Sequence, residues 1–374
     1  MTLEIITDRE GFAALEEPWN ALAARFANPL LRHEYFAAVA GTFWAQARIA
    51  VYVLRTGGSI RGIAPFRAVR YGGVPRLELL SNRFGEPAGL LYGDGEALHD
   101  LLAALVGSPR TVILNRFPDD GPEMRVLRSL LPPNPRCLVR SGDSTVAVPT
   151  DKRWPDLEAG MSSSQRAYVR RQRRRAERFG TVTFEVVAPD EGNVEALLGE
   201  VYRTEFASWK GRNGTAILST PIQEAFFTGY GRALARQGAL RLFFLRINGE
   251  AAAVRYAIEH AGRLWELKIG YDERWHECSP GVLLTHETLR YCCERGLAAH
   301  EFLGREDRWQ HMWPHTVQRY SSPRVHPRSI RGGISLVQDL CYFATQKMLR
   351  SLQLDADGRK ARAKREVALT KAVA

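Results

Sequence analysis

The apolar run Leu240–Ile247 (LRLFFLRI) ends at Asn248-Gly249, and this junction restricts the fold more than any other stretch of the chain. Both turn residues tolerate positive φ, so the chain reverses in two residues and the flanking runs pair antiparallel. It continues as Ala251–Glu259, turns at Ala261-Gly262 and returns as Arg263–Ile269. Ser279-Pro280-Gly281-Val282-Leu283-Leu284 then opens a helix. Ser279 suits an N-cap, and Pro280 suits the first helical position, where a missing N–H costs nothing. Val282, Leu289, Cys292 and Cys293 recur at helical spacing, Gly296 supplies a stop, and Ala299–Leu303 reads as a further strand. The predicted order is three antiparallel strands, a helix and a strand.

A helix that starts this way is an anion site in waiting. Its first N–H groups have no acceptor within the helix, and the positive end of the macrodipole points outward. Gly281 adds no side chain, so Ser279, Gly281, Val282 and Leu283 are the candidate phosphate-binding residues. The structural alternative is a capped helix that binds nothing.

The first half repeats this pattern. Ala47–Leu54 meets Gly57-Gly58, Ile60–Val69 follows, Tyr71-Gly72-Gly73 turns the chain, and Arg76–Leu80 returns. A helix over Glu96–Val106 and a strand over Thr111–Arg116 complete it. The expected fold class is therefore α/β (α+β), with tandem lobes, each a mixed, mostly antiparallel sheet flanked by helices. The first lobe lacks a Ser-Pro-Gly helix start; residues 82–89 there form a looser loop. Residues 1–150 are read as a non-catalytic or acceptor-shaping lobe, 151–325 as the active lobe, and 326–374 as a C-terminal helix and charged tail. In that helix Leu336, Leu340, Phe343, Ala344 and Met348 are expected to dock on the body, with interfacial membrane contact as the alternative.

Composition narrows the class. A chain of 374 residues suits two cores, no apolar run reaches the roughly 20 residues that span a bilayer, and the N-terminus shows no signal-peptide pattern. Five cysteines without metal spacing point to reduced thiols in the cytoplasm. Of the formal charge of +11, a net +6 lies between Met161 and Gly180, where seven arginines face one acid, Glu177. Such a block is a solvated helix face, a nucleic-acid surface or a recruiting patch for an anionic donor. Little aromatic interleaving argues against a dedicated nucleic-acid domain.

Several stretches in this order resemble the GNAT acyltransferase superfamily, and more closely its CelD-like acetyltransferases, which are related to the FemABX transferases. They are Ser164–Arg178, LRLFFLRINGEAAAVRYAIE, Gly270-Tyr271-Asp272, Ser279–Leu284 and Phe302–Asp307, spanning roughly residues 150–315. The resemblance implies acetyl-CoA or another acyl-CoA as donor, no metal, a small-molecule amine acceptor, and the arginine helix near the active cleft. Arg171, Arg174 and Trp309 are then substrate-binding candidates. Two departures stand out: Cys278 occupies the position where GNAT enzymes carry Gln or Arg, and Glu306-Asp307-Arg308-Trp309-Gln310 lacks the lysine of relatives.

Acyl transfer to an amine needs a neutral nucleophile, a donor for the oxyanion and good positioning. Asp272 and Glu266 are the candidate catalytic carboxylates: Asp272 where the strand opens into the loop, Glu266 beside Trp265. Asp272 can equally be a turn cap. Cys278 at a helix N-terminus is a candidate nucleophile. His311 and His315 are spaced like a metal pair, but Pro314 interrupts them and no third ligand is evident. Two other functions fit the same chain: an accessory protein of polysaccharide or cell-envelope synthesis with a degenerate cleft, and an aminoacyl-tRNA-dependent transferase.

Overall fold

The computed structural model describes residues 2–82, 84, 86, 87, 89–131 and 136–349. The connector read at Pro132–Pro135 and the charged tail at Asp355–Ala374 lie outside the described residues.

Among the described residues fourteen strands form a single sheet. Twelve follow one path through it: β1 (Thr2–Ile6), β2 (Arg48–Thr56), β3 (Ser59–Tyr71), β4 (Val74–Leu79) and β5 (Thr111–Ile113) from the first half; then β6 (Cys137–Pro149), β7 (Val182–Val187), β8 (Leu240–Ile247) and β9 (Glu250–His260); and β10 (Arg263–Tyr271), β11 (Ala299–Phe302) and β12 (Thr316–Val325). Their spatial order is β1-β2-β3-β4-β5-β12-β6-β11-β10-β9-β8-β7. The sheet is mixed and mostly antiparallel, as expected; among the described residues β4–β5 and β10–β11 are the two parallel pairs.

The two halves trace the same sequence of elements, down to their turns. Gly57 and Gly58 (φ 56° and 85°) close one hairpin, and Asn248 and Gly249 (φ 51° and 84°) close its counterpart. Positive φ at both central residues is what a two-residue hairpin matched to strand twist demands. One feature was not readable from pattern. The strand that completes each lobe comes from the end of the other half: β6 pairs with β11, β12 pairs with β5, and the two pair with each other. Pro323 lies within β12, where its carbonyl still accepts from Leu114 N at 2.9 Å.

Helices cover both faces: α1 (His33–Gly41), α2 (Gly95–Val106), α3 (Ser163–Phe179), α4 (Val194–Phe206), α5 (Pro221–Arg236), α6 (Pro280–Glu294) and α7, over 330–349. The lobes share a core. Tyr35 and Phe43 of the first pack against Phe226 and Tyr230 on α5 at ring distances of 5.2–6.2 Å. Burying each such ring contributes about 2–3 kcal/mol. A second core lies under α3 and α6, and a third under α2. Helix α7 corrects the reading of its docking face. It meets the body through Ser335, Gln338 and Asp339; of the expected residues Leu336 and Phe343 are half-buried, Phe343 with its ring centroid 4.7 Å from the Arg324 guanidinium, while Leu340, Ala344 and Met348 are exposed.

Candidate functional site

Strands β10 and β11 run parallel from Arg263↔Ala299 to Glu266↔Phe302 and then part. β10 continues to Tyr271 still paired to β9, whereas β11 ends and the chain turns away at Leu303-Gly304. Asp272 N donates to Ala252 O of β9 at 3.0 Å. By strand alternation, Ile269 and Tyr271 therefore turn their peptide groups to the other edge. Lys210 Nζ donates to Ile269 O on that edge. Among the described residues the edge beyond Phe302 has no partner strand, and a cleft of about 380 Å³ opens there.

The cleft is walled by Ile269, Gly270 and Tyr271 of β10, Ser279–Val282 at the start of α6, Ser208-Trp209-Lys210 after α4, and Asp307 and Trp309 after β11, with His276 at its margin. Gly270 is required by packing: a Cβ there would lie 2.6 Å from Glu205 Cα, so β10 rests directly on α4. Gly281 differs, since a Cβ would meet only Tyr271 Cδ1 at 3.8 Å.

Ser279 holds the N-cap position of α6 in an unusual way. Its backbone is left-handed (φ 50°, ψ 57°), and its hydroxyl caps no N–H. The Oγ instead pairs with Tyr168 OH of α3 at 2.9 Å. A non-glycine residue in this region carries about 1 kcal/mol of strain. Val282 N and Leu283 N both reach back to Ser279 O, at 3.0 and 3.3 Å. Pro280 has no N–H, and Gly281, which lines the cleft, has no side-chain cap on its N–H.

Helix α3 lies alongside this start. Ser162 and Gln165 form a capping box at its N-terminus, and Val169, Gln172 and Ala176 face the core. Arg166 is structural, donating to the carbonyls of Glu158, Ala159 and Met161, and Arg173 pairs with Glu177 and Glu287. Arg171 lies 5.2 Å from the Tyr168 ring centroid, and Arg175 reaches Glu277 O at 3.3 Å. Helical spacing puts Tyr168, Arg171 and Arg175 on one flank, beside the start of α6. Arg174 is exposed and points further round the helix.

Four sequence candidates thus meet in the cleft: Ser279, Gly281, Val282 and Trp309. The others lie elsewhere. Leu283 is buried in the core beneath α6. Asp272 caps the 3₁₀ turn Glu273–Cys278, accepting from Arg274 N at 2.9 Å and pairing with the Arg274 guanidinium at 2.7 Å. Glu266 is buried where the strands part, 2.6 Å from Arg255 Nε. Burial raises its pKa and the arginine opposes the rise. Neither carboxylate lines the cleft. Cys278 is fully buried, donates to Trp275 O at 3.1 Å, and has its pKa raised by burial, the reverse of a thiolate nucleophile. His311 pairs with Glu306 at 2.9 Å, and among the described residues no cluster of His, Cys, Asp and Glu could hold a metal ion. Ser208, Trp209, Lys210 and His276 were missed from sequence. For the first three the only signal was a short segment between two helices, which the fold brings onto β10; His276 lies in the 3₁₀ turn Glu273–Cys278 between β10 and α6.

Two parallel strands that part beside an uncapped, glycine-bearing helix start define a recognisable site. Residues 163–311 match the acetyltransferase (GNAT) domain. The matched GNAT segment runs from the first turn of α3 to His311 and so takes in most of the cleft. Two solved structures share the wider fold. FemX aligns with a TM-score of 0.55 at 12% identity, covering 86% of this chain and 97% of FemX. L-PGS from Bacillus licheniformis aligns with a TM-score of 0.53 at 16% identity, covering 89% and 97%. At such identities the likeness is one of fold. No curated protein sequence matches the chain.

Proposed function

We propose that this chain is an acyl-CoA-dependent N-acyltransferase of the CelD-like branch. In this reading it uses acetyl-CoA as donor, a small-molecule amine as acceptor and the second lobe, residues 151–325, as the active one; its place is the cytoplasm. The observation that carries the reading is the open edge of β10 facing the start of α6. Peptide groups at Ile269 and Tyr271 suit the amide-bearing arm of a CoA thioester, as an added strand would. Gly281 N–H, the α6 dipole, Arg171 and Arg175 suit its pyrophosphate. The residues present therefore fit the donor, which when bound supplies the activated acyl carbonyl.

The chain's own contribution is position and exclusion of water. Trp209, Tyr271 and Trp309 give the cleft apolar walls, and its closeness to a strand edge supplies N–H donors where negative charge develops on an acyl oxygen. Asp272 and Glu266 lie outside the lining, so neither takes the amine proton directly; the carboxylate and imidazole that do line the cleft are Asp307 and His276. The Arg255–Glu266 pair braces the strand fork instead.

Titration with acetyl-CoA tests this. A ligand at a hundred times its Kd raises stability by about 2.7 kcal/mol, which a thermal melt resolves. Gly281→Asp has room to fold and places a carboxylate against the phosphates, so the shift should vanish. No shift in the native chain with any acyl-CoA would favour the accessory-protein reading.

One observation favours a second reading. Arg170, Arg171, Arg174, Arg175 and Arg178 are all exposed on α3, an arrangement suited to the backbone of an aminoacyl-tRNA. Such binding falls by about 0.7 log unit per log of salt for each phosphate neutralised on a single strand. Failure to bind tRNA at low salt would remove this reading and leave the CoA one intact.

A further inference from the structure

Helix α7 is mounted with its polar side inward. Asp339 is buried between Arg76 and Arg324, 2.6 Å from each guanidinium, with His326 Nε2 at 3.6 Å. Arg76 also donates to Gln338 at 2.7 Å, and Thr111 to Ser335 at 2.8 Å. Gly332 lies against the backbone of Pro327, too close for any Cβ. These contacts fix the helix's rotation about its own axis. The opposite side is apolar and faces solvent: Ile330 is 86% exposed, Ile334 47%, Val337 59% and Met348 64%. Leu340 and Leu349 widen the stripe, each 49% exposed.

We propose that this face of α7 docks on an anionic membrane surface, lying in the interface rather than crossing it. Among the described residues no helix is long and apolar enough to cross a membrane. At 100° per residue the apolar arc from Leu340 through Val337 and Ile330 to Ile334 is about 120° wide, broader than a paired-helix seam, with Asp339 diametrically opposite. Lys347 and Arg331 border the arc on its two sides, where long side chains reach lipid phosphates while their stems lie along the apolar surface. Asp339, the only acid among residues 330–349, is already paired inward. A second copy packed on this face would set Arg331 and Lys347 against like charges, whereas anionic lipid complements them. The chain beyond the described helix adds charge of the same sign: residues 350–374 hold seven Lys and Arg against three Asp and Glu.

The test uses the full chain with vesicles of phosphatidylcholine, with and without phosphatidylglycerol, read by co-sedimentation. Binding is expected with phosphatidylglycerol, weakened by salt. Ile334→Asp with Val337→Asp alters exposed positions only, so the melting temperature should hold while partitioning falls at least about tenfold. Arg331→Glu with Lys347→Glu should lower partitioning on anionic vesicles by at least about tenfold and leave neutral ones unchanged. The proposal is overturned if the native chain ignores anionic vesicles at low salt. It is equally overturned if the chain forms a dimer that the Ile334→Asp, Val337→Asp variant dissolves.

Discussion

The two lobes present the same strand fork with opposite outcomes. In the first, β4 and β5 part after Glu78↔Ile113. Leu80 and Leu90 are buried there, and Phe84 packs on Phe43 and Phe227 at 5.6 Å. Lys268 of the second lobe lies 4.0 Å from the Phe84 ring centroid. Phe84 of the loop and Lys268 of the neighbouring lobe thus occupy this junction, and a separate cavity of about 580 Å³ lies to one side, lined by Leu90, Arg116 and Phe117. The helix that follows, α2, begins at Asp94, whose carboxylate caps Ala97 N at 2.9 Å and pairs with Arg61. In the second lobe the fork is open, and α6 begins at a serine whose hydroxyl is turned to Tyr168. A repeated scaffold therefore does not repeat a site. An acidic cap satisfies the helix start and repels anions; a neutral, diverted one leaves it for a ligand.

The largest expected effect comes from exchanging this difference. Gly281→Asp should weaken CoA by about two orders of magnitude, since like charges held together cost several kcal/mol. Gly95→Asp, at a first-lobe position with nothing within 4 Å, should leave CoA affinity unchanged. Equal losses at both sites, measured by calorimetry, would mean that the first lobe binds the donor too.

Each lobe also buries one arginine completely: Arg76 on β4, held by Asp339, and Arg255 on β9, held by Glu266 with Thr285 at 2.7 Å. Glu266→Gln and Asp339→Asn should each cost about 3–5 kcal/mol in urea unfolding, because an unpaired buried charge remains. If Glu266→Gln instead abolishes turnover at unchanged stability, the carboxylate is a catalytic base and the bracing role fails.

Acid should act on both lobes alike. Burial holds His286 and His326 down at about 4. His286 Nδ1 accepts from Trp313 Nε1 at 3.5 Å, so a proton there opposes an existing donor. With an unfolded value near 6.5, the unfolded chain takes up these protons first. Stability should therefore fall as pH drops from about 6.5 to 4, by of order 2 kcal/mol per histidine. Melting temperatures across that range check the slope, and His286→Gln or His326→Gln should each flatten it.

The smallest effect concerns the diverted hydroxyl. Ser279→Ala and Tyr168→Phe should each cost about 1 kcal/mol, and the double variant little more than either. Additive losses would show that the two groups do not share a bond.

Sequence alone determined the elements. Asn248-Gly249 fixed the hairpin and the pairing of Ile247 with Glu250, because so few residues tolerate positive φ at both turn positions; beyond Arg246 a bulge shifts the register. Ser279-Pro280-Gly281 marked where α6 begins, and the recurring order of strand, glycine turn, strand, turn and strand exposed the repeat; these are local effects of backbone sterics and capping. Tertiary structure decided the rest. It alone exchanged β6 and β12 between lobes, since strand pairing over such separations leaves no local periodicity. It drew Lys210 and Trp209 onto β10 through the packing of Glu205 against Gly270. Asp272 keeps the turn-cap role its place at the strand end allowed, through Arg274 two residues on, but tertiary structure sank Glu266 beside Arg255, because a carboxylate's role depends on which charges and how much water surround it, and at Glu266 those are set by chain segments far away in sequence.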